Sequence, residues 1–186
     1  MATRGDAYFI LKLEGAGIEQ LAALARTIET HLGESFKPTP VQSLHTTMLF
    51  LGKELSPDAL RTLGDKYIET FRTPQAFPFM NFTTFETKRG DEEWNFLVAI
   101  FGAPSRAEFV RERIAREFEI IDGVPYFKLD NGDYRKLPDY RPWNPHVTLG
   151  RYFGEAPNVA EVDRLAAGMC FDMTATGVAL HSGLSV

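Results

Sequence analysis

Apolar residues recur along this chain in short runs that switch between two periods. Strict alternation or a brief continuous run marks a strand, and recurrence every three to four residues marks an amphipathic helix. Residues 7–13, Ala-Tyr-Phe-Ile-Leu-Lys-Leu, read as a strand that ends at Glu14-Gly15-Ala16-Gly17. From Ile18 the positions Leu21, Leu24, Ala25, Ile28 and Leu32 predict a helix, closed by Gly33 as its C-terminal cap. Pro38 and Pro40 then break the chain, and a strand is expected from about Ser43 to Leu51, ended by Gly52. Ser56-Pro57-Asp58 starts a second helix, with serine as cap and proline in the first turn. Leu60, Leu63, Tyr67, Ile68 and Phe71 carry that helix to about Arg72.

Residues 77–88 and 94–101 predict two strands, joined as a hairpin through the polar Arg89-Gly90-Asp91-Glu92. Pro104 and Ser105 open a third helix with Phe109, Ile114 and Phe118 on its inner face. The segment Asp122 to Asn144, rich in Pro, Gly, Asp and aromatic residues, reads as an ordered loop or small flap. A loop of that length inside a compact domain is often functional. A strand follows at about 146–152, a short helix at 159–167 and a final strand at 169–181.

Two of the predicted strands carry the same signature. Leu44-His45-Thr46-Thr47-Met48-Leu49 and Pro145-His146-Val147-Thr148-Leu149-Gly150-Arg151 each read His-x-Thr followed by apolar residues. Residues i and i+2 of a strand project from one face, so His45 stands beside Thr47 and His146 beside Thr148. The chain has 4 histidines, and two of them open these pairs. The motifs lie 101 residues apart, at 45 and 146, each preceded by a helix and followed by another helix and a strand. That spacing describes one duplication within a single domain spanning 1–186, not a repeat array. The expected fold is α+β: a bilobal pseudo-twofold duplication, each lobe an antiparallel sheet with helices outside, with both motifs at a central cleft.

Composition narrows the chemistry. With 186 residues, 44% hydrophobic and 24% charged, the chain reads as an ordinary soluble domain with room for a substantial core. Its apolar runs are too short and too often interrupted for a membrane span, and the N-terminus lacks the apolar stretch of a signal peptide. Cys170 is the single cysteine, so no internal disulfide can form; a buried, reduced thiol in a cytoplasmic protein is expected. The net charge of −5 argues against a grip on long nucleic acid, although Arg135, Lys136 and Arg141 make a local basic segment. Small nucleotides or chain ends suit this balance better, and nothing marks an oligomerisation stripe, so a monomer is the default.

Two histidines and two threonines converging on one spot suit metal-free acid–base chemistry on a phosphate. Breaking a phosphodiester needs one proton taken from the attacking oxygen and one given to the leaving oxygen, and imidazole titrates near working pH. Threonine hydroxyls can donate to the non-bridging oxygens. The near symmetry of the motifs leaves open which histidine is the base. Gly15-Ala16-Gly17 imitates a dinucleotide fingerprint, but Gln20 stands where the third glycine belongs. There is no Gly-x-Ser-x-Gly elbow, Walker loop, His-Glu-x-x-His pair or cysteine cluster, so neither a metal nor a cofactor is expected.

With these motifs the chain resembles the 2H phosphoesterase superfamily, including LigT-like RNA 2′,3′-cyclic phosphodiesterases. The likeness rests on 44–52, ending Phe50-Leu51-Gly52, and on 145–151, ending in the basic Arg151. It implies a bilobal fold with a cleft between the lobes and no metal. It implies His45 and His146 as the catalytic pair and Thr47 and Thr148 as phosphate ligands. It also suggests Arg151 as a substrate contact, although strict alternation puts Arg151 on the face opposite His146 unless the strand ends or bulges first. The first choice of substrate is a 2′,3′-cyclic phosphate at a nucleotide or RNA end. The His-Thr-Thr of the first motif also resembles relatives that cut cyclic oligonucleotide signals, so 2′–5′ and cyclic oligonucleotides stay open, as does a non-catalytic nucleotide- or RNA-binding module.

Plainer roles compete for the remaining residues. Thr47 and Thr148 also suit strands simply as β-formers. Trp143 and Tyr140 serve either flap packing or base stacking. Tyr8 either faces the cleft or packs in the core. His31 and His181 lack the motif, and surface or packing roles fit them better.

Overall fold

The computed structural model describes residues 6–53, 55–89, 92–122, 124–128, 132–137 and 142–182. The elements in chain order are β1 (Ala7–Glu14), α1 (Gly17–Leu32), β2 (Phe36–Pro38), β3 (Thr47–Gly52), α2 (Pro57–Tyr67), β4 (Glu69–Phe77), β5 (Phe79–Arg89) and β6 (Glu92–Phe101). They continue with α3 (Ser105–Ala115), β7 (Glu119–Ile121), β8 (Val124–Lys128), β9 (Tyr134–Lys136), β10 (His146–Tyr152), α4 (Val159–Leu165) and β11 (Met173–Ser182). Two four-stranded sheets run in the orders β3-β1-β11-β4 and β2-β10-β6-β5, and β7-β8-β9 form a small third sheet. Every pairing is antiparallel. The fold is α+β, as the alternating patterns imply.

The two sheets are not the two halves of the chain. β2, from the first half, pairs with β10, and β11, the last strand, lies between β1 and β4. Each His-x-Thr strand also pairs with the strand that precedes a helix: β3 with β1, β10 with β6. One continuous set of buried residues, from Phe9 and Leu21 to Leu97, Leu149 and Val178, joins both sheets. Each such side chain contributes roughly 1.5–3 kcal/mol on burial.

Several boundaries move for tertiary reasons. The second helix stops at Tyr67, and Phe71 belongs to β4, where it is buried as a strand residue. Ile68, Thr70 and Thr73 are β-branched and disfavour helix, so the helical spacing that reaches Phe71 is a coincidence of period. In β4 the pairing jumps from Gln75↔Ala175 to Thr70↔Gly177, which leaves Pro74 outside the ladder where its missing N–H costs nothing. Phe77 ends β4, and Pro78 separates it from β5 in the other sheet. Pro38 does not merely break the chain: it ends the three-residue edge strand β2. The 122–144 segment is not only a loop, since it builds β8 and β9 of the small sheet.

Two side chains lie elsewhere than expected. Phe109 is exposed and flanked by the guanidinium groups of Arg106 and Arg113, at 5.3 and 5.8 Å from its ring centre. The buried face of α3 is instead Ala107, Val110, Arg111 and Ile114. Cys170 is exposed, not buried, because it lies in the irregular stretch before β11, outside the sheet.

Candidate active site

Helices α1 and α4 pack on the sheet that carries β10, and α2 and α3 pack on the sheet that carries β3. Alternation therefore sends Phe9 and Leu11 of β1 into the core and leaves Tyr8, Ile10 and Lys12 on the uncovered face. Across that face Tyr8 is opposite Phe50 on one side and His181 on the other, and Ile10 is opposite Thr47. On the second sheet the uncovered face carries His146 and Thr148, opposite Ile100 and Val98.

Both motif strands bulge at the same place. In β3 the register jumps from Thr47↔Ile10 to Leu49↔Phe9, so Met48 is the extra residue. In β10 it jumps from Thr148↔Val98 to Gly150↔Leu97, so Leu149 is extra. A bulge of one residue resets the alternation. Thr47 and Phe50 consequently share a face across the buried pair Met48-Leu49, and Thr148 and Arg151 share one across Leu149-Gly150. The bulge brings Arg151 to the face of His146. It also makes Phe50 the first-motif counterpart of Arg151.

The carbonyls of the extra residues are satisfied from outside their strands. Arg111 Nε donates to Met48 O at 2.9 Å, and the Thr39 N–H donates to Leu149 O at 2.7 Å. Gly150 is required by the close crossing of β2: a Cβ there would lie 2.4 Å from the Phe36 ring and 2.5 Å from Lys37 O.

The ladder of β3 begins at Thr47, not at Ser43; His45 lies just before it, after a 3-10 turn at Val41–Ser43. Even so, half-buried His45 and Thr47 flank the buried Thr46, and Thr46 O accepts from the Leu11 N–H, so the alternation holds. The two histidines are anchored alike. His45 Nδ1 is 2.7 Å from Ser43 O, and His146 Nδ1 is 2.9 Å from Asn144 O, each the carbonyl two residues earlier. A carbonyl only accepts, so Nδ1 carries the hydrogen and Nε2 is the nitrogen left for proton transfer.

Their surroundings differ. Burial, chiefly, and then the positive charge of His45 hold the pKa of His146 below the usual histidine value, against the hydrogen bond to Asn144 O. Phe85 meets His146 edge-on, with centroids 4.9 Å apart at 74°. His45 is stacked on Tyr8 at 5.1 Å and 18°, and Tyr8 in turn on His181 at 4.7 Å and 29°. Burial, then Asp6, raises the Tyr8 phenol above its usual pKa.

Trp143 donates its indole N–H to Thr47 O at 3.0 Å and packs against the core, so it braces the first motif. Tyr140 lies outside the described residues. Sequence reasoning missed Arg111, which looks like any helical arginine; His181, expected in a surface or packing role, is exposed and stacks on Tyr8. Among the described residues no group of three or more His, Cys, Asp or Glu side chains gathers to hold a metal ion. No described helix is long and apolar enough to cross a membrane.

No family model matches the chain, and no curated protein matches it. Solved structures do. TT0787 of Thermus thermophilus superposes with a TM-score of 0.59 at 22% identity, over 95% of this chain and 87% of that one. E. coli LigT in complex with 3′-AMP gives a TM-score of 0.53 at 20% identity, over 96% and 88%. LigT in complex with NADP+ gives 0.51 at 19% identity, over the same shares. The chain thus shares the LigT fold over nearly its whole length.

Proposed function

We propose that this chain, built on the LigT fold, is a metal-independent phosphodiesterase acting on a nucleotide or RNA end, with a 2′,3′-cyclic phosphate as first choice of substrate. The observation that carries this reading is the matched anchoring of His45 and His146, each held by Nδ1 on a main-chain carbonyl. That the LigT fold accommodates 3′-AMP and NADP+ agrees with a nucleotide ligand.

The two environments divide the labour. His146, half-buried and with its pKa held below the usual histidine value, is the general base: its Nε2 takes a proton from water as the water oxygen bonds to phosphorus. His45, just before β3, is then the general acid: its Nε2 gives a proton to the ribose oxygen as the phosphorus–oxygen bond breaks. The product is a phosphomonoester, and exchange of one proton with solvent at each histidine resets the pair. Thr47 and Thr148 donate hydroxyl hydrogens to the non-bridging oxygens, and Arg151 offsets the phosphate charge from the same face as Thr148.

Product analysis with a chelator present tests this. The panel holds nucleoside 2′,3′-cyclic monophosphates, 2′–5′ oligoadenylate and cyclic di- and trinucleotides, with the His45→Ala,His146→Ala double variant as control. Turnover that survives the chelator and disappears in the control is expected. A ligand that binds without turnover of any member would turn the reading to a binding module.

A further inference from the structure

Of the two aromatic residues that the sequence nominates for base stacking, Tyr140 lies outside the described residues and Trp143 is already occupied, as is Tyr8. Trp143 is engaged by its N–H to Thr47 O and by the core. Tyr8 lies on β1, between β3 and β11, so His45 covers its ring from one side and His181 from the other. Phe50 adds a third ring on the β3 side, 6.4 Å from Tyr8. Neither face of Tyr8 is left for a nucleobase.

The open end of this row is His181. Its side chain is exposed. The neighbouring strand β4 begins its pairing with β11 at Glu69↔Val178, so among the described residues no strand flanks β11 on that side at His181. The row therefore starts at a motif histidine and ends, among the described residues, in an imidazole with no further ring stacked on it, about 10 Å further along, the span of the two ring separations. A base stacked there is displaced from the reacting phosphate by two rings and one more stacking distance. That suits the neighbouring nucleotide of a chain better than the nucleotide bearing the phosphate.

We propose that the outer face of His181 is a stacking subsite for the second nucleobase of a single-stranded RNA end whose terminal phosphodiester lies between His45 and His146. Base–aromatic stacking is strong and indifferent to sequence, because every base has a π-face. The subsite makes a short RNA, not a free mononucleotide, the preferred substrate class, and needs no basic footprint, in keeping with the net charge of −5. It rests on the phosphodiesterase reading for the position of the phosphate.

The test compares a trinucleotide RNA ending in a 2′,3′-cyclic phosphate with the corresponding mononucleotide 2′,3′-cyclic phosphate. The quantity read is the ratio of their kcat/KM values, in the wild type, His181→Ala and His181→Phe. Any loosening of Tyr8 and His45 affects both substrates and cancels in the ratio. The wild type is expected to favour the trinucleotide, His181→Ala to lower that preference on the order of 10-fold, mostly through KM, and His181→Phe to restore it. A ratio unchanged by His181→Ala overturns the subsite. If neither substrate turns over, the phosphodiesterase reading fails by itself. Fluorescence of 2-aminopurine at the penultimate position of the same RNA then decides: quenching lost in His181→Ala and kept in His181→Phe supports the subsite, and equal signals from all three proteins overturn it.

Discussion

Arg111, on α3, gives its Nε–H to the main-chain carbonyl of Met48, 2.9 Å away. Met48 is the extra residue of the bulge in β3, and that bulge puts Thr47 and Phe50 on one face. The arginine thus holds the backbone of the first motif from behind. Arg111→Met keeps much of the apolar stem but leaves a buried carbonyl without this donor, a loss of about 1–3 kcal/mol. We expect a lower denaturation midpoint in urea with an unchanged slope, and a fall in kcat larger than any rise in KM. A variant with wild-type kcat would show that the bulge holds itself.

The environment of His146 fixes a direction for pH. Its folded-state pKa lies below the ordinary histidine value, first because of burial and then because of His45. Over that interval the unfolded chain binds more protons than the folded one, so stability rises with pH. As pH falls from about 6.5 toward the lowered folded value, stability is lost, and below it the loss levels off. Thermal denaturation of wild type and His146→Gln between about pH 5 and 8 checks this. The difference between the two midpoints should move against the wild type as pH falls, and a constant difference would contradict it. The acidic limb of kcat/KM should fall below about pH 6.5 for the same reason.

Gly150 leaves no room for a methyl group between β10 and β2. Gly150→Ala must push Phe36 and Lys37 away or shift the residue before Arg151. A loss of about 1–3 kcal/mol is expected, together with a rise in KM as Arg151 moves. Wild-type values for both stability and KM would mean that β2 yields freely.

Tyr8 packs its ring on His45, a contact worth about 0.5–1.5 kcal/mol beyond burial. Tyr8→Ala should lower kcat by about tenfold by loosening that imidazole, and Tyr8→Phe should retain most of it because the ring is kept. Steady-state kinetics on the same substrate separate the two. Equal losses in both variants would assign the effect to the hydroxyl.

How far the sequence reaches depends on the range of the forces involved. β1 and α1 follow from local period, since each buries one face, and β6 from a continuous apolar run, Leu97 to Phe101, that is buried throughout. β2 escapes notice because three residues carry no period, and its place is set by Phe36 in the core and by pairing with β10. β4 hides behind Leu60, Leu63 and Tyr67, whose spacing runs on to Phe71. At the candidate site the His-x-Thr pairs show because i and i+2 suffice to define them. The side of the sheet on which Arg151 stands depends on one extra residue in the ladder, which alternation cannot reveal. His181 meets Tyr8 only because strands from opposite ends of the chain are neighbours.

That last pairing shapes how the molecule is made. Ala7 aligns with Ser182 and Glu14 with Thr174, so the sheet holding the first motif has at its centre a contact of very high sequence separation. Closing so large a loop costs entropy before any pairing can offset it, and domains dominated by such contacts fold slowly. During synthesis β1 and β3 emerge early yet wait for β11, and until it docks Tyr8 has a ring on one side only. The row of rings that braces His45 is therefore complete only once β11 has paired with β1, so the first motif depends on chain made long after it.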